Sequence, residues 1–145
     1  MTATLAKLCN LAHGRLDGIT ESAAAGADIA AIELNAAEVP EGGMFAAVPG
    51  TRTHGARYAQ QSAATAILTD EEGLKILREA GETRPVLVVD DVRAVMGHVA
   101  AEIYDHPSDS LTIIGVTGTS GKTTTTYMLE LSLIHISDGA REACR

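Results

Sequence analysis

The 145-residue sequence has no tryptophan, one phenylalanine and three tyrosines. A core built from it must rest on small aliphatic side chains, which its 24 alanines and 46% hydrophobic content supply. Basic residues are scarce: 11 Lys and Arg stand against 19 Asp and Glu, a net charge of −8. That balance excludes broad binding to the phosphate backbone of nucleic acid. It also leaves no basic face for an anionic membrane. A confined anion site survives, because backbone N–H groups at a helix start can build one without net positive charge. Two distant cysteines, Cys9 and Cys144, make neither a disulfide framework nor a metal cluster. No apolar run approaches the ~20 residues of a membrane-spanning helix. The opening stretch Met1 to Leu16, interrupted by Lys7, His13 and Arg15, lacks the apolar centre of a secretory signal. The cytoplasm is the expected compartment.

What the chain does contain is short apolar runs alternating with helical patterns, which predicts an α/β fold. Ile29–Leu34, Met44–Val48, Ala66–Leu68 and Pro85–Val89 read as strands. The last is a continuous β-branched run suited to a strand covered on both faces. Pro40, Gly42 and Gly43 mark a turn, and Thr51–His54 a polar loop. Ala56–Ala64 reads as helical. Thr69 with Glu72 forms a capping-box pattern opening a helix that turns Leu74, Leu77 and Ala80 inward and ends at Gly81. Asp90-Asp91 caps a second helix, whose Val92, Val95, Met96, Val99 and Ile103 trace an apolar stripe. A metal role for this acidic pair is the weaker reading. His54, His98 and His106 share no metal-ligand spacing, and Cys9 reads as a small apolar side chain.

The sharpest feature is Ile113-Ile114-Gly115-Val116-Thr117-Gly118-Thr119-Ser120-Gly121-Lys122-Thr123-Thr124. An apolar strand, Leu111–Val116, runs into a glycine turn and then a helix. Glycines let successive N–H groups face phosphate oxygens, and the helix start adds its positive end. Lys122 would reach the β- and γ-phosphates, and the Thr123 hydroxyl would ligate Mg2+. The spacing departs from the common phosphate loop: Val116 occupies the first glycine's position, and Gly118 stands three residues before Gly121.

With that spacing, Thr-Gly-Thr-Ser-Gly-Lys-Thr-Thr resembles the phosphate loop of the Mur ligase and folylpolyglutamate synthetase superfamily. A second segment agrees. Val39-Pro40-Glu41-Gly42-Gly43-Met44-Phe45-Ala46-Ala47-Val48-Pro49-Gly50 resembles that family's V-x-P-G-x-L-F-x-A-x-x-G. His54-Gly55-Ala56-Arg57-Tyr58 resembles its following D-G-x-x-F/Y, with His for Asp. The match, over about residues 15 to 130, points to the branch adding a third amino acid to UDP-N-acetylmuramoyl-L-alanyl-D-glutamate.

The resemblance implies an N-terminal domain with a small mixed sheet and helices that holds the UDP substrate, over residues 1–106. A linker, 107–110, leads to the first strand, P-loop and helix start of an ATP-binding central domain, 111–130. It implies a monomeric ligase using ATP and Mg2+ that activates a substrate carboxylate as an acyl phosphate, in which positioning and charge stabilisation carry the phosphoryl transfer. Gly118, Thr119, Ser120, Gly121, Lys122, Thr123 and Thr124 would form the ATP loop. Leu34, Ala36, Thr51, Arg52 and Thr53 would meet the UDP substrate. Where the family has L-D-S-R, this chain has Leu34-Asn35-Ala36-Ala37, so a hydroxyl and a guanidinium are gone. Arg52 suits a diphosphate because its planar fork makes charge-assisted hydrogen bonds. No catalytic residue is singled out, since a P-loop alone is not a catalyst and the family's later metal ligands have no counterpart among these residues. The third amino acid, meso-diaminopimelate or L-lysine, would be selected by a C-terminal domain.

From Leu131 the amphipathic period is abandoned. Leu131-Ser132-Leu133-Ile134-His135-Ile136-Ser137 resembles one reading frame of a transposon end used in sequencing libraries, so residues 131–145 are expected to be non-native. The leading expectation is therefore a ligase fragment without turnover of its own. The alternatives are a stand-alone UDP-sugar-binding module and a fragment of the related dipeptide-adding Mur ligase.

Overall fold

The computed structural model describes residues 2–142, with side chains described through residue 133; Cys144 lies outside these residues. In chain order the strands are β1 (Ala3–Thr4), β2 (Arg15–Asp17), β3 (Asp28–Ile29), β4 (Ala31–Glu33), β5 (Gly43–Ala46), β6 (Ala66–Thr69) and β7 (Val86–Val88). The α-helices are α1 (Leu5–Leu11), α2 (Glu21–Ala25), α3 (Glu71–Glu79), α4 (Val92–Ile103) and α5 (Lys122–Glu142). They divide into two units, Met1–Ser110 and Leu111–Arg145.

In the first unit a five-stranded mixed sheet runs in the order β2-β7-β6-β5-β4. Strands β4 to β7 are mutually parallel and β2 is antiparallel at one edge. A separate antiparallel pair joins β1 to β3. Strand residues alternate faces, so each parallel strand feeds two cores. Met44, Ala46, Ala66, Leu68 and Leu87 pack with residues of α1, α2 and α4. Phe45, Ile67, Val86 and Val88 pack instead with α3 and the 3-10 helix Gly55–Gln61. Burial on both faces explains why these strands read as unbroken apolar runs. The single phenylalanine, Phe45, is 2% exposed and sits at the middle of β5.

Several elements differ from the sequence reading. The run Ile29–Leu34 is two strands, because Ile29 pairs with Ala3 while the Ala30 N–H donates to Gly42 O at 2.9 Å and carries the chain into the other sheet. Residues 56–64 form a shorter 3-10 helix, Gly55–Gln61. The cap of α3 is Asp70, whose carboxylate accepts from the Gly73 N–H at 2.8 Å, whereas Thr69 is the buried last residue of β6. Ala80 is exposed at the C-cap, and Gly81, at φ +76°, ends the helix. Asp91 caps α4, accepting from the N–H groups of Arg93 and Ala94. The sequence pattern does not reveal β1, α1, β2 or α2, which are only two, seven, three and five residues long.

In the second unit Leu111–Val116 forms no strand. Leu111, Ile113 and Ile114 are 64%, 70% and 60% exposed. A strand needs a neighbour to pair its N–H and C=O groups, and within this unit the run has none among the described residues. It lies instead beside α5, which continues to Glu142. No helix among the described residues is long and apolar enough to cross a membrane.

Candidate functional site

In open α/β sheets ligands bind outside the carboxyl ends of parallel strands, and a cavity of about 440 Å³ opens where β4 and β5 end. Leu34, just beyond β4, is half exposed on its rim, and Ala36 is buried in its wall. Thr53 comes from the loop after β5, and Gly55, Tyr58 and Gln61 from the 3-10 helix that follows. Three of the five residues expected to meet a nucleotide substrate, Leu34, Ala36 and Thr53, therefore share one cavity.

Arg52 does not line it. Its exposed side chain faces a neighbouring cleft of about 380 Å³ together with Thr53, His54, Arg57 and Glu72. Thr53 belongs to both spaces. Thr51 is exposed and lines neither. Tyr58 and Gln61 were missed as wall residues. For Tyr58 the signal was the H-G-A-R-Y segment itself, but tight 3-10 winding rather than α-helix decides which side chains, Gln61 included, turn toward the cavity. Asn35 was missed too. Its side chain accepts from the Ala37 N–H at 3.3 Å and donates to Glu38 at 2.8 Å, fixing the turn that holds Ala36 in place.

The walls are tied to the sheet by Arg84. Its guanidinium donates to the carbonyls of Ala59, Ser62 and Ala64 at 2.7, 2.8 and 3.0 Å. Glu82 pairs with the same guanidinium, and those hydrogen bonds hold its carboxyl down to about 2 from the usual 4.5. His54 lies buried behind the loop, against Asp70 at 3.0 Å. His98 is exposed, and His106 meets Glu102 at 3.2 Å. Among the described residues no group of three or more His, Cys, Asp or Glu side chains could hold a metal ion. The Cys9 thiol donates to Gly14 O at 3.2 Å, and burial pushes its pKa up, which disfavours the thiolate.

In the second unit Gly121, at φ +78°, makes a left-handed turn immediately before α5, a conformation that costs glycine little. Lys122 opens the helix, and its ammonium folds back on Gly118 O at 2.6 Å. The Thr125 hydroxyl donates to Gly121 O, just before the helix, and the Thr126 hydroxyl to Thr123 O in its first turn. Thr123 is exposed in the first turn, and its hydroxyl has no such partner among the described residues. A glycine turn, a lysine at the helix start and an uncommitted threonine hydroxyl fit a magnesium nucleotide.

No family model matches the chain. UDP-N-acetylmuramoyl-L-alanyl-D-glutamate–2,6-diaminopimelate ligase of Corynebacterium glutamicum is 55% identical over 125 residues, covering 83% of this chain and 24% of the relative. The protein of the same name from Streptomyces coelicolor is 50% identical, over 72% of this chain and 21% of its own length. The one from Aquifex aeolicus is 37% identical, over 74% and 21%. The chain thus spans about a quarter or less of the curated relatives it matches. Among solved structures, MurF from Acinetobacter baumannii superposes with a TM-score of 0.65 over 89% of this chain and 27% of that one. At 24% identity this likeness shows the fold alone.

Proposed function

Because the chain belongs to the Mur ligase family, we propose that it is the UDP-substrate-holding front of an ATP-dependent ligase adding a third residue to UDP-N-acetylmuramoyl-L-alanyl-D-glutamate. The carrying observation is the cavity at the ends of β4 and β5, where Leu34, Ala36 and Thr53 converge from separate segments. Its wall is mainly apolar with a few polar groups, the usual make-up of a small-molecule site. The nucleotide would enter there, and Arg52, in the adjoining cleft, would neutralise the diphosphate. Thr51 would contribute from the exposed loop. The names of the relatives favour 2,6-diaminopimelate over L-lysine as the added residue.

In the second unit, Gly118, Thr119, Ser120 and Gly121 would surround the phosphates of ATP through their backbone N–H groups. Lys122 would hold the terminal phosphates, and Thr123, beside Thr124, would offer its hydroxyl to Mg2+. The bound ion would supply charge neutralisation for phosphoryl transfer. With these two substrates the ligase would act in the cytoplasm, as a monomer.

Isothermal titration of the 145-residue chain tests the reading. Saturable binding of the UDP-muramyl dipeptide, weakened by Arg52→Ala, supports it. A folded chain that fails to bind this ligand overturns it. The chain is expected to release no phosphate from ATP; robust release would contradict the reading of a fragment without turnover. Residues 131–145 are read as foreign to the ligase, and amplification of the locus from source DNA should yield a different sequence after Glu130.

A further inference from the structure

The substitution of His for the family's Asp at position 54 leaves a buried imidazole just behind the cavity wall. Its ring makes two hydrogen bonds. The Ala56 N–H donates to Nδ1 at 3.0 Å, which leaves Nε2 as the protonated nitrogen. Nε2–H then donates to Asp70 Oδ1 at 3.0 Å. The same Oδ1 accepts the Gly73 N–H at 2.8 Å and so caps α3. His54 and Asp70 thus join the loop after β5 to the first turn of a helix on another connection.

The packing is closed around this link. A Cβ on Gly73 would stand 2.6 Å from His54 Cε1 and inside contact distance of Thr69 Oγ1, so only glycine lets α3 approach the ring. Thr69 Oγ1 in turn donates to Ala47 O at 3.0 Å, between the cavity residues Ala46 and Val48. The residues flanking His54, Thr53 and Gly55, both line the cavity. At its far end the loop is held by the Arg93 guanidinium on Pro49 O at 3.1 Å and by the Gly50 N–H on Thr53 O at 3.2 Å.

We propose that His54 is a positioning residue: its Nε2–H bond to Asp70 fixes Thr53 and Gly55 at the cavity wall, so that the site is ordered before ligand arrives. That the occupant is a UDP-sugar rests on the function proposed above. The ordering itself does not. Pre-ordering removes an entropic cost from binding, and the strap places that ordering in a side chain that does not line the cavity at the ends of β4 and β5.

The test uses the 15N-labelled 145-residue chain. Long-range 1H–15N spectra should show His54 protonated at Nε2 only. His54→Asn keeps an acceptor for the Ala56 N–H but cannot reach Asp70. Asp70→Asn keeps the acceptor oxygen for both partners. In H54N, hydrogen exchange at Gly55 should quicken about tenfold, the equivalent of one net hydrogen bond, while amides of β6 and β7 stay unchanged. Affinity for the UDP-muramyl dipeptide should fall by a similar factor. D70N should stay within about twofold on both readouts, as expected when the acceptor survives. Should H54N fail to fold, Asp70→Ser replaces it, since serine caps the helix but is too short for the ring. An Nδ1–H tautomer, or H54N exchange at Gly55 equal to wild type, overturns the strap. Quickened exchange in H54N together with a wild-type chain that does not bind the UDP-muramyl dipeptide sustains the strap and refutes the proposed substrate.

Discussion

Truncating Arg84 should cost far more than its partly exposed position suggests. Its guanidinium serves three backbone carbonyls, of Ala59, Ser62 and Ala64, residues only 1%, 8% and 3% exposed. It also neutralises Glu82, whose side chain is 9% exposed. A buried polar group stripped of its partner costs about 1–3 kcal/mol. Ala59 O keeps the Ser62 N–H as a second donor. The Arg84 side chain is itself 24% exposed, so water can enter the gap and the low end applies to each group. Arg84→Ala should therefore lose about 3 kcal/mol, a large share of a small domain's stability. With a urea slope of about 1–3 kcal/mol per molar, the unfolding midpoint should drop by at least about 1 M. Arg84→Lys should recover less than half of the loss, because one ammonium cannot span three carbonyls and a carboxylate. The carbonyls belong to the 3-10 helix carrying Tyr58 and Gln61 and to the segment just after it, so the same variant should weaken UDP-sugar binding. A midpoint within about 0.3 M of wild type would refute the argument that these carbonyls depend on the guanidinium.

Glu82 supplies a pH signature: its folded pKa of about 2 lies below the usual 4.5, so its contribution is complete above 4.5 and is lost as pH falls toward 2. Acid unfolding followed by circular dichroism should steepen in that window for wild type and flatten in Glu82→Gln. Gly73→Ala pits a helix-propensity gain of up to about 1 kcal/mol against overpacking of about 1–3 kcal/mol where Cβ meets Thr69 and His54. The melting temperature should fall, and a rise would show that the contact is slack. Leu87→Ala, at a residue 0% exposed, should cost about 2–5 kcal/mol, whereas Ile113→Ala, 70% exposed, should change stability by less than about 0.5 kcal/mol in calorimetry. Ala36→Ser with Ala37→Arg restores the groups found in the family's L-D-S-R. Titration should show tighter binding of the UDP-muramyl dipeptide, and unchanged affinity would mean that the cavity no longer uses those positions.

How far the sequence could be read depended on where each run finds its partners. Val86–Val89 and Leu111–Val116 are both apolar and rich in β-branched residues, and both suggest central strands. Only the first becomes one. Ile67, Leu68 and Thr69 lie beside it on one side and Arg15, Leu16 and Asp17 on the other. No strand stands beside Leu111–Val116 in its own unit among the described residues, and its isoleucines remain exposed. Propensity fixes which conformation a run accepts, and pairing decides whether it forms. The same logic separates the two parts of the cavity. Leu34, Ala36 and Thr53 were singled out by the resemblance, through the segment matching L-D-S-R and the loop after Pro49-Gly50, and the structure brings the three to one cavity. The link through His54, Asp70 and Gly73 could not. The sequence showed a histidine without metal spacing and a threonine that looked like the better cap. Choosing Asp70 as the cap frees Thr69 to reach Ala47 and puts a carboxylate within reach of the imidazole. A one-residue shift in a helix start, below the precision of pattern reading, therefore creates the second layer of the site.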